Sequence, residues 1–422
     1  MSSVARIELF HVRIPLPAVF RPSWIPGFPQ AENRFTLVRI FTDDGVVGVS
    51  AGPAMGRERA GLGDLLGPYF LGEDATDIDM VQQRLREMSY LGWRNWWVEP
   101  AFWDIKGKLA GKPVCELLGG EPCEVELYAS TGQVRSPEAR IEEAEARLAE
   151  GFHAIKLRVH DFDEAVDIRQ VTETAKAMGD RMSIGVDANQ AWRVAAIADA
   201  PTWDLPRAKR FVDACADAGL AWVEEPLPMD AYDDQAALTE YSRVPVTGGE
   251  IHTQGLPELR MMIERRCYDV FQPDAMFTGG IAQTIEVARL CREAGLKYTP
   301  HTWTNGIGFA VNLQLMAASG FAGEAHLEYP YDPPGWTVEG RDGLLTEPFH
   351  HTRGRLTVPN RPGLGFDIDP RALRRHAKRF FVMDRKRLVW FSLRDRGIAA
   401  SKEIDASRRA RKAAAAGQRA GQ

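Results

Sequence analysis

Ser183-Ile184-Gly185-Val186-Asp187, Leu220-Ala221-Trp222-Val223-Glu224 and Val244-Pro245-Val246-Thr247-Gly248-Gly249-Glu250 share one plan: a short apolar run that ends on, or just before, a carboxylate. The series continues through Asp274, His301 and Glu328, so the six side chains follow one another in steps of 37, 26, 24, 27 and 27 residues. Apolar runs of this length read as strands, and the amphipathic stretches between them as helices. A strand, a polar residue and a helix repeated every ~25–35 residues is the output of a (β/α) barrel, whose post-strand loops converge on one mouth. The expected barrel strands are 125–128, 154–159, 183–186, 220–224, 244–247, 270–272, 297–299 and 325–328. That is the number a closed barrel needs, and it lets the six side chains share a pocket.

Around this centre the chain is long enough, at 422 residues, for a second domain. Residues 1–124 read as an α+β cap: strands over 4–14, 35–42 and 45–51, with Asp43-Asp44-Gly45 as a hairpin turn, then helical patterns from Leu62 to Ala110. Residues 125–330 form the barrel, and the Pro- and Gly-rich 331–370 return to the cap. The stretch from Pro15 to Asn33 carries Phe20, Trp24 and Phe28 among its prolines; it reads as a loop that closes over the barrel mouth. Residues 371–422 hold 16 Lys and Arg against 4 Asp and Glu and read as a solvated, disordered run. The aromatics between Phe380 and Phe391 are the exception, since they call for a surface on the body or on a neighbouring subunit.

Composition excludes several classes. No apolar stretch reaches the ~18–20 residues of a membrane span, and Met1 to Arg6 lead straight into a strand-like run without a hydrophobic signal core, so a cytoplasmic protein is expected. Five cysteines without a CxxC pair support neither a disulfide framework nor a thiolate zinc site. No phosphate-binding loop or nucleic-acid motif is present, so no nucleic-acid partner is expected.

Carboxylates with no cysteine and no histidine cluster make a hard, oxygen-only ligand set, which suits Mg²⁺ better than zinc. An Asp at a helix start is by itself as readily an N-cap as a ligand, but Asp187, Glu224 and Glu250 in successive units point to a metal. The residues Val186-Asp187-Ala188-Asn189, Val223-Glu224-Glu225-Pro226, Gln272-Pro273-Asp274 and Pro300-His301-Thr302 resemble the enolase superfamily in its mandelate racemase branch. So do Trp103-Asp104-Ile105-Lys106-Gly107-Lys108 and Leu117-Leu118-Gly119-Gly120. The resemblance implies a modified (β/α)7β barrel under an N-terminal cap, and a homo-oligomer of undecided size. It implies that Asp187, Glu224 and Glu250 bind Mg²⁺ with Glu225 behind them, and that the ion holds a substrate carboxylate and stabilises the enediolate left by the α-proton. It further implies that His301 and Asp274 form an acid–base dyad, and that Glu328 hydrogen bonds the substrate carboxylate, donating to the developing oxyanion if protonated.

The chain departs from that branch at Lys156-Leu157-Arg158, where the racemases carry Lys-x-Lys and use the second lysine as the base on the opposite face. Arginine stays protonated to roughly pH 12, so Lys156 and Arg158 read as charge-neutralising groups. With one clear proton carrier, His301, elimination is favoured over racemisation: a hydroxylated acid, aldonic or aldaric, would lose water to give a 2-keto-3-deoxy acid. Asn189, His252, Trp303, Phe20 and Trp24 are candidate substrate contacts; Asn189 and His252 could equally be structural, and Trp303 could simply close the barrel. An epimerase, racemase or cycloisomerase remains open. Two remote readings are a serine hydrolase, from Gly48-Val49-Ser50-Ala51-Gly52, and a binding protein working through its basic tail.

Overall fold

A computed structural model describes residues 2–54 and 61–420. The chain builds two sheets. In the first, antiparallel β1 (Val4–Phe20), β2 (Gln30–Thr42) and β3 (Val47–Pro53) form a meander, followed by α1 (Leu62–Phe70), α2 (Ile78–Ser89), α3 (Pro100–Ala110) and the single turn α4 (Val114–Leu117).

The second sheet is parallel. Its strands are β4 (Glu124–Ser130), β5 (Ala154–Arg158), β6 (Ser183–Asp187), β7 (Trp222–Glu224), β8 (Val246–Gly248), β9 (Val270–Phe271), β10 (Lys297–Tyr298) and β11 (Leu327–Pro330). The helices between them are α5 (Pro137–Ala149), α6 (Glu164–Met178), α7 (Leu205–Asp217), α8 (Tyr232–Tyr241), α9 (Leu256–Glu264), α10 (Gly280–Glu293) and α11 (Gly306–Ala318). The strands pair in the order β10-β9-β8-β7-β6-β5-β4-β11, so the last returns to the first. Side chains bridge the seam between β10 and β11: Thr299 Oγ1 donates to the His326 carbonyl at 2.8 Å and Thr302 Oγ1 to that of Glu328 at 2.9 Å. This is an α/β fold, a cap on a (β/α) barrel.

Register positions the chemistry. Arg158 lies opposite Asp187, and Asp187 opposite Glu224, so three neighbouring strands end in charged residues side by side. Lys156, two residues before Arg158, shares its inward face. Gly185 is required beneath them, because a Cβ there would come within 2.0 Å of the Trp222 ring.

Two buried acids tie the cap to the rest of the chain, Glu99 to the barrel and Asp104 to the returning C-terminal segment. Glu99, at the start of α3, accepts from the Ile281 and Ala282 amides at 2.8 and 3.1 Å, which satisfies the N-terminus of α10. Asp104 accepts from the Val49 and Leu364 amides, both at 3.0 Å, and pairs with Lys108 at 2.7 Å.

After β11 come α12 (Val338–Asp342), β12 (Arg355–Thr357), α13 (Pro370–His376), β13 (Ala377–Asp384) and α14 (Arg385–Ala420), the last interrupted at Gly397 with φ 81°. α12 packs on β1 and β2, whereas β12 pairs with β4. The docking expected of the aromatics from Phe380 is found: β13 adds a fourth strand to the cap sheet beside β1, with Phe380 stacked on His11 at 4.0 Å, whereas the expected disorder is replaced over the rest of the described extension by α13 and α14. The expected long loop is also shorter. Residues 15–20 and 30–33 extend the β1–β2 hairpin, leaving 21–29 as its tip. Pro15 and Pro17 fit because β13 pairs only with 6–12 of β1, so beyond Val12 one edge has no ladder to satisfy. Ser50, the serine of the hydrolase reading, is fully buried in β3 and donates its hydroxyl to the Trp97 carbonyl at 2.5 Å. That position supports no nucleophile.

Candidate functional site

The strand ends meet in a buried nest of charge. Lys156 Nζ lies 2.5 Å from Glu224 Oε1, 2.7 Å from Glu328 Oε1 and 3.7 Å from Asp187 Oδ2. Arg158 donates Nε to the Thr131 carbonyl at 2.6 Å, pairs through Nη1 with Asp187, and reaches Asn189 Oδ1 and Ser130 Oγ at 3.4 Å each. Its guanidinium lies 5.2 Å from the Trp24 ring and 5.8 Å from that of Trp303. Burial works against the Lys156 ammonium, but Glu224 and Glu328 outweigh it and hold the lysine above its usual range.

Across the nest, His301 Nδ1 meets Asp274 Oδ2 at 3.0 Å, and Asp274 Oδ1 accepts from Asn312 Nδ2 at 2.7 Å and the Met276 amide at 2.9 Å. The aspartate is thus fixed from behind, and it fixes the tautomer of the imidazole, leaving Nε2 toward the nest. Nε2 lies 3.1 Å from Glu250 Oε2 and 3.9 Å from Glu328 Oε2. Burial pulls the imidazole down, but Glu250, Glu328 and Asp274 outweigh it and hold it up at about 9. A cation beside Glu250 would act in the opposite direction.

Glu328 lies in the same nest. Burial would raise its carboxyl, but Lys156, His301 and Arg158 hold it far below the usual range, and it also accepts from Ser130 Oγ at 2.8 Å and the Thr302 amide at 2.7 Å. Of the two roles open to His252, the contacts favour the structural one: it is turned toward α9, with Nδ1 2.9 Å from Glu258 Oε1. The other candidates do come together. Ser23, at the hairpin tip, donates to Asn189 Oδ1 at 2.6 Å; Trp24 and Phe20 pack on Trp303 with ring centroids 5.0 and 5.5 Å apart. Phe20 reaches this position because Gly132 has no Cβ, which would sit 2.3 Å from its ring.

Among the described residues no three acidic or imidazole side chains already converge as a finished metal cage; Lys156 and Arg158 pair with the carboxylates instead. The donor set nevertheless fits a hard divalent cation. Asp187, Glu224, Glu225, Glu250, Asp274 and Glu328 are all buried, against two permanent cations and one histidine. Burial, then the neighbouring carboxylates, push Glu225 well above its usual range and Glu224 up to about 7, and Glu225 Oε2 has no hydrogen-bond partner. Such a surplus of buried negative charge is what a divalent ion relieves. Asn189 and Glu225, both with φ 48°, hold a left-handed backbone at the ends of β6 and β7, a strain found where a site is held in shape.

Residues 11–119 match the mandelate racemase / muconate lactonizing enzyme N-terminal domain, and residues 139–372 the enolase C-terminal domain-like family. The chain belongs to the enolase superfamily. It is 30% identical to D-galactarolactone cycloisomerase of Agrobacterium fabrum, over 82% of this chain and 93% of that one. It is 28% identical to arabinonate dehydratase of Saccharolobus solfataricus, over 82% and 91%. The structure of L-talarate dehydratase from Polaromonas sp. JS666 with Mg and L-glucarate superposes with a TM-score of 0.74 at 25% identity, covering 91% of this chain and 99% of that one. Its relatives are named both as dehydratases of sugar acids and as cycloisomerases.

Several supporting residues escaped the sequence reading. Gln272 Nε2 donates to Glu224 Oε2 at 2.9 Å, and Trp192 Nε1 to Glu250 Oε1 at 3.0 Å. Ser130, the last residue of β4, and Gln272, just after β9, occupy the same strand-end position as the acids, a signal that was available. Trp192 and Asn312 lie in a loop and in a helix, and no spacing marks them.

Proposed function

We propose that this protein is a Mg²⁺-dependent dehydratase of a hydroxylated carboxylic acid, an aldonic or aldaric sugar acid, releasing water to form a 2-keto-3-deoxy acid. The observation that carries the reading is the asymmetry of the nest: His301 keeps one nitrogen free of its dyad partner, whereas Arg158 is engaged at every nitrogen and cannot lose its proton at working pH.

Asp187, Glu224 and Glu250 would hold the ion, which supplies positive charge to a substrate carboxylate as its α-carbon becomes electron-rich. His301 Nε2 takes the α-proton; the C–H electron pair becomes a carbon–carbon double bond, and the β C–O bond breaks. The same Nε2 returns the proton to the departing hydroxide, so water leaves on the face from which the proton came, and the enol tautomerises to the keto acid. Lys156 and Arg158 stay charged and offset the negative charge that builds on the substrate. A histidine base beside Mg²⁺ is a general pattern of the superfamily.

The test is a panel of sugar acids with Mg²⁺, reading 2-keto acid by semicarbazide absorbance and α-proton exchange by NMR in D₂O. Keto acid that disappears in His301→Asn supports the reading. Exchange or isomerisation without keto acid overturns it. A cycloisomerase is the second reading, favoured by the A. fabrum relative, and would show as lactone turnover in the same panel.

A further inference from the structure

The carboxylates of Asp187, Glu224 and Glu250 share a bonding pattern. In each, one oxygen accepts from a neutral N–H group and the other meets a basic side chain. Asp187 Oδ1 accepts from the Asn189 amide at 2.7 Å, while Oδ2 pairs with Arg158. Glu224 Oε2 accepts from Gln272 Nε2 at 2.9 Å, while Oε1 lies 2.5 Å from Lys156 Nζ. Glu250 Oε1 accepts from Trp192 Nε1 at 3.0 Å, while Oε2 lies 3.1 Å from His301 Nε2. The neutral donors are a backbone amide, a carboxamide and an indole, and none of them brings a charge to the site.

We propose that Trp192 and Gln272 are positioning residues for the divalent ion: together with the Asn189 amide they fix the rotation of the three carboxylates, so that one oxygen of each is turned into the nest. The inference rests on the reading that Asp187, Glu224 and Glu250 hold Mg²⁺. A carboxylate unbonded at both oxygens turns about its last carbon–carbon bond, whereas a hydrogen bond to one oxygen removes that freedom and leaves the charge that an ion needs. The inward oxygens do converge, since Lys156 Nζ lies within 3.7 Å of both Asp187 Oδ2 and Glu224 Oε1. Trp192 reaches Glu250 from the loop after β6, and the same loop carries Asn189, whose Oδ1 accepts from Ser23 of the hairpin tip at 2.6 Å. One short stretch therefore orients two of the three acids, and the hairpin tip holds that stretch. Mg²⁺ demands near-ideal octahedral geometry at about 2.0–2.1 Å, whereas Ca²⁺ accepts variable coordination, so loosened carboxylates cost Mg²⁺ more than Ca²⁺.

The test is calorimetric titration of MgCl₂ and of CaCl₂ into the full-length protein after removal of metal, for wild type, Trp192→Phe and Gln272→Met. Trp192→Phe keeps an aromatic ring and loses the N–H. Gln272→Met keeps the chain length, and among the described residues Gln272 Oε1 has no hydrogen-bond partner to lose. In each variant the Kd for Mg²⁺ is expected to rise about 10- to 100-fold and that for Ca²⁺ by less, with the Tm of the metal-free protein unchanged. A Kd for Mg²⁺ within about twofold of wild type in both variants overturns the proposal, whatever happens to Tm. So does an equal rise for the two ions, because a general loosening of the site does not discriminate between them. A wild-type protein that binds neither ion overturns the metal site itself, and with it the proposed dehydratase; wild-type binding that the variants leave unchanged overturns the positioning role alone.

Discussion

The ends of β5 and β10 each bring a basic side chain into the same nest of carboxylates, yet they leave it in different states. Arg158 is stacked near two indoles and hydrogen bonded at Nε, Nη1 and Nη2. His301 is anchored at Nδ1 by an aspartate that is itself anchored twice, and its Nε2 faces the nest 3.1 Å from Glu250 Oε2. In the proposed mechanism the difference separates two jobs that a pair of bases would share: a fixed cation would lower the energy of negative charge, and a tethered imidazole would carry a proton in and out.

The hardest blow to that contrast is removal of the free nitrogen. His301→Asn is expected to lower kcat for keto acid formation by about 10⁴-fold, with Tm within a few degrees of wild type; activity within tenfold of wild type would break the assignment. Chelation with EDTA should abolish turnover, with recovery on added Mg²⁺. A hundredfold excess of Mg²⁺ over its Kd should add about 2.7 kcal/mol of stability, read as a rise in Tm. Asp274→Asn keeps the imidazole but loosens its orientation, and kcat should fall by about 10- to 100-fold. Arg158→Lys preserves the charge and loses the fork and the indole contacts; a drop of about tenfold is expected, corresponding to about 1.4 kcal/mol. If that variant instead gained α-proton exchange in D₂O without loss of rate, the opposite face would be competent for base chemistry and the comparison would need redrawing. The smallest effect is at Ser50→Ala, where turnover should be unchanged and stability lower by about 1 kcal/mol through loss of the bond to Trp97.

The barrel was legible because period is a local property. Strand, reactive residue and helix recur along the chain, and the short strands that precede Asp187 and Glu224 lie where the apolar runs put them. The length of the hairpin was not legible for a physical reason: residues 15–20 can stay extended, prolines included, because strand pairing is on one side only there, and that is decided by where β13 ends. The aromatics of β13 called for a surface, but which surface is decided only once Ile7 and Leu9 of β1 stand beside it.

What the sequence by itself determined is the inventory and its order: the acids at strand ends, one histidine among them, and an arginine where a lysine base would stand. These follow from residue identity and periodic spacing, which need no partner. What only the tertiary structure decided is the state of each group. Glu328 accepts from Ser130 and Thr302, His252 pairs with Glu258, Arg158 is engaged at each of its nitrogens, and buried polar atoms line the barrel interior. Those properties depend on distances of a few ångströms between residues far apart in the chain, and desolvation and charge pairing act only at such distances.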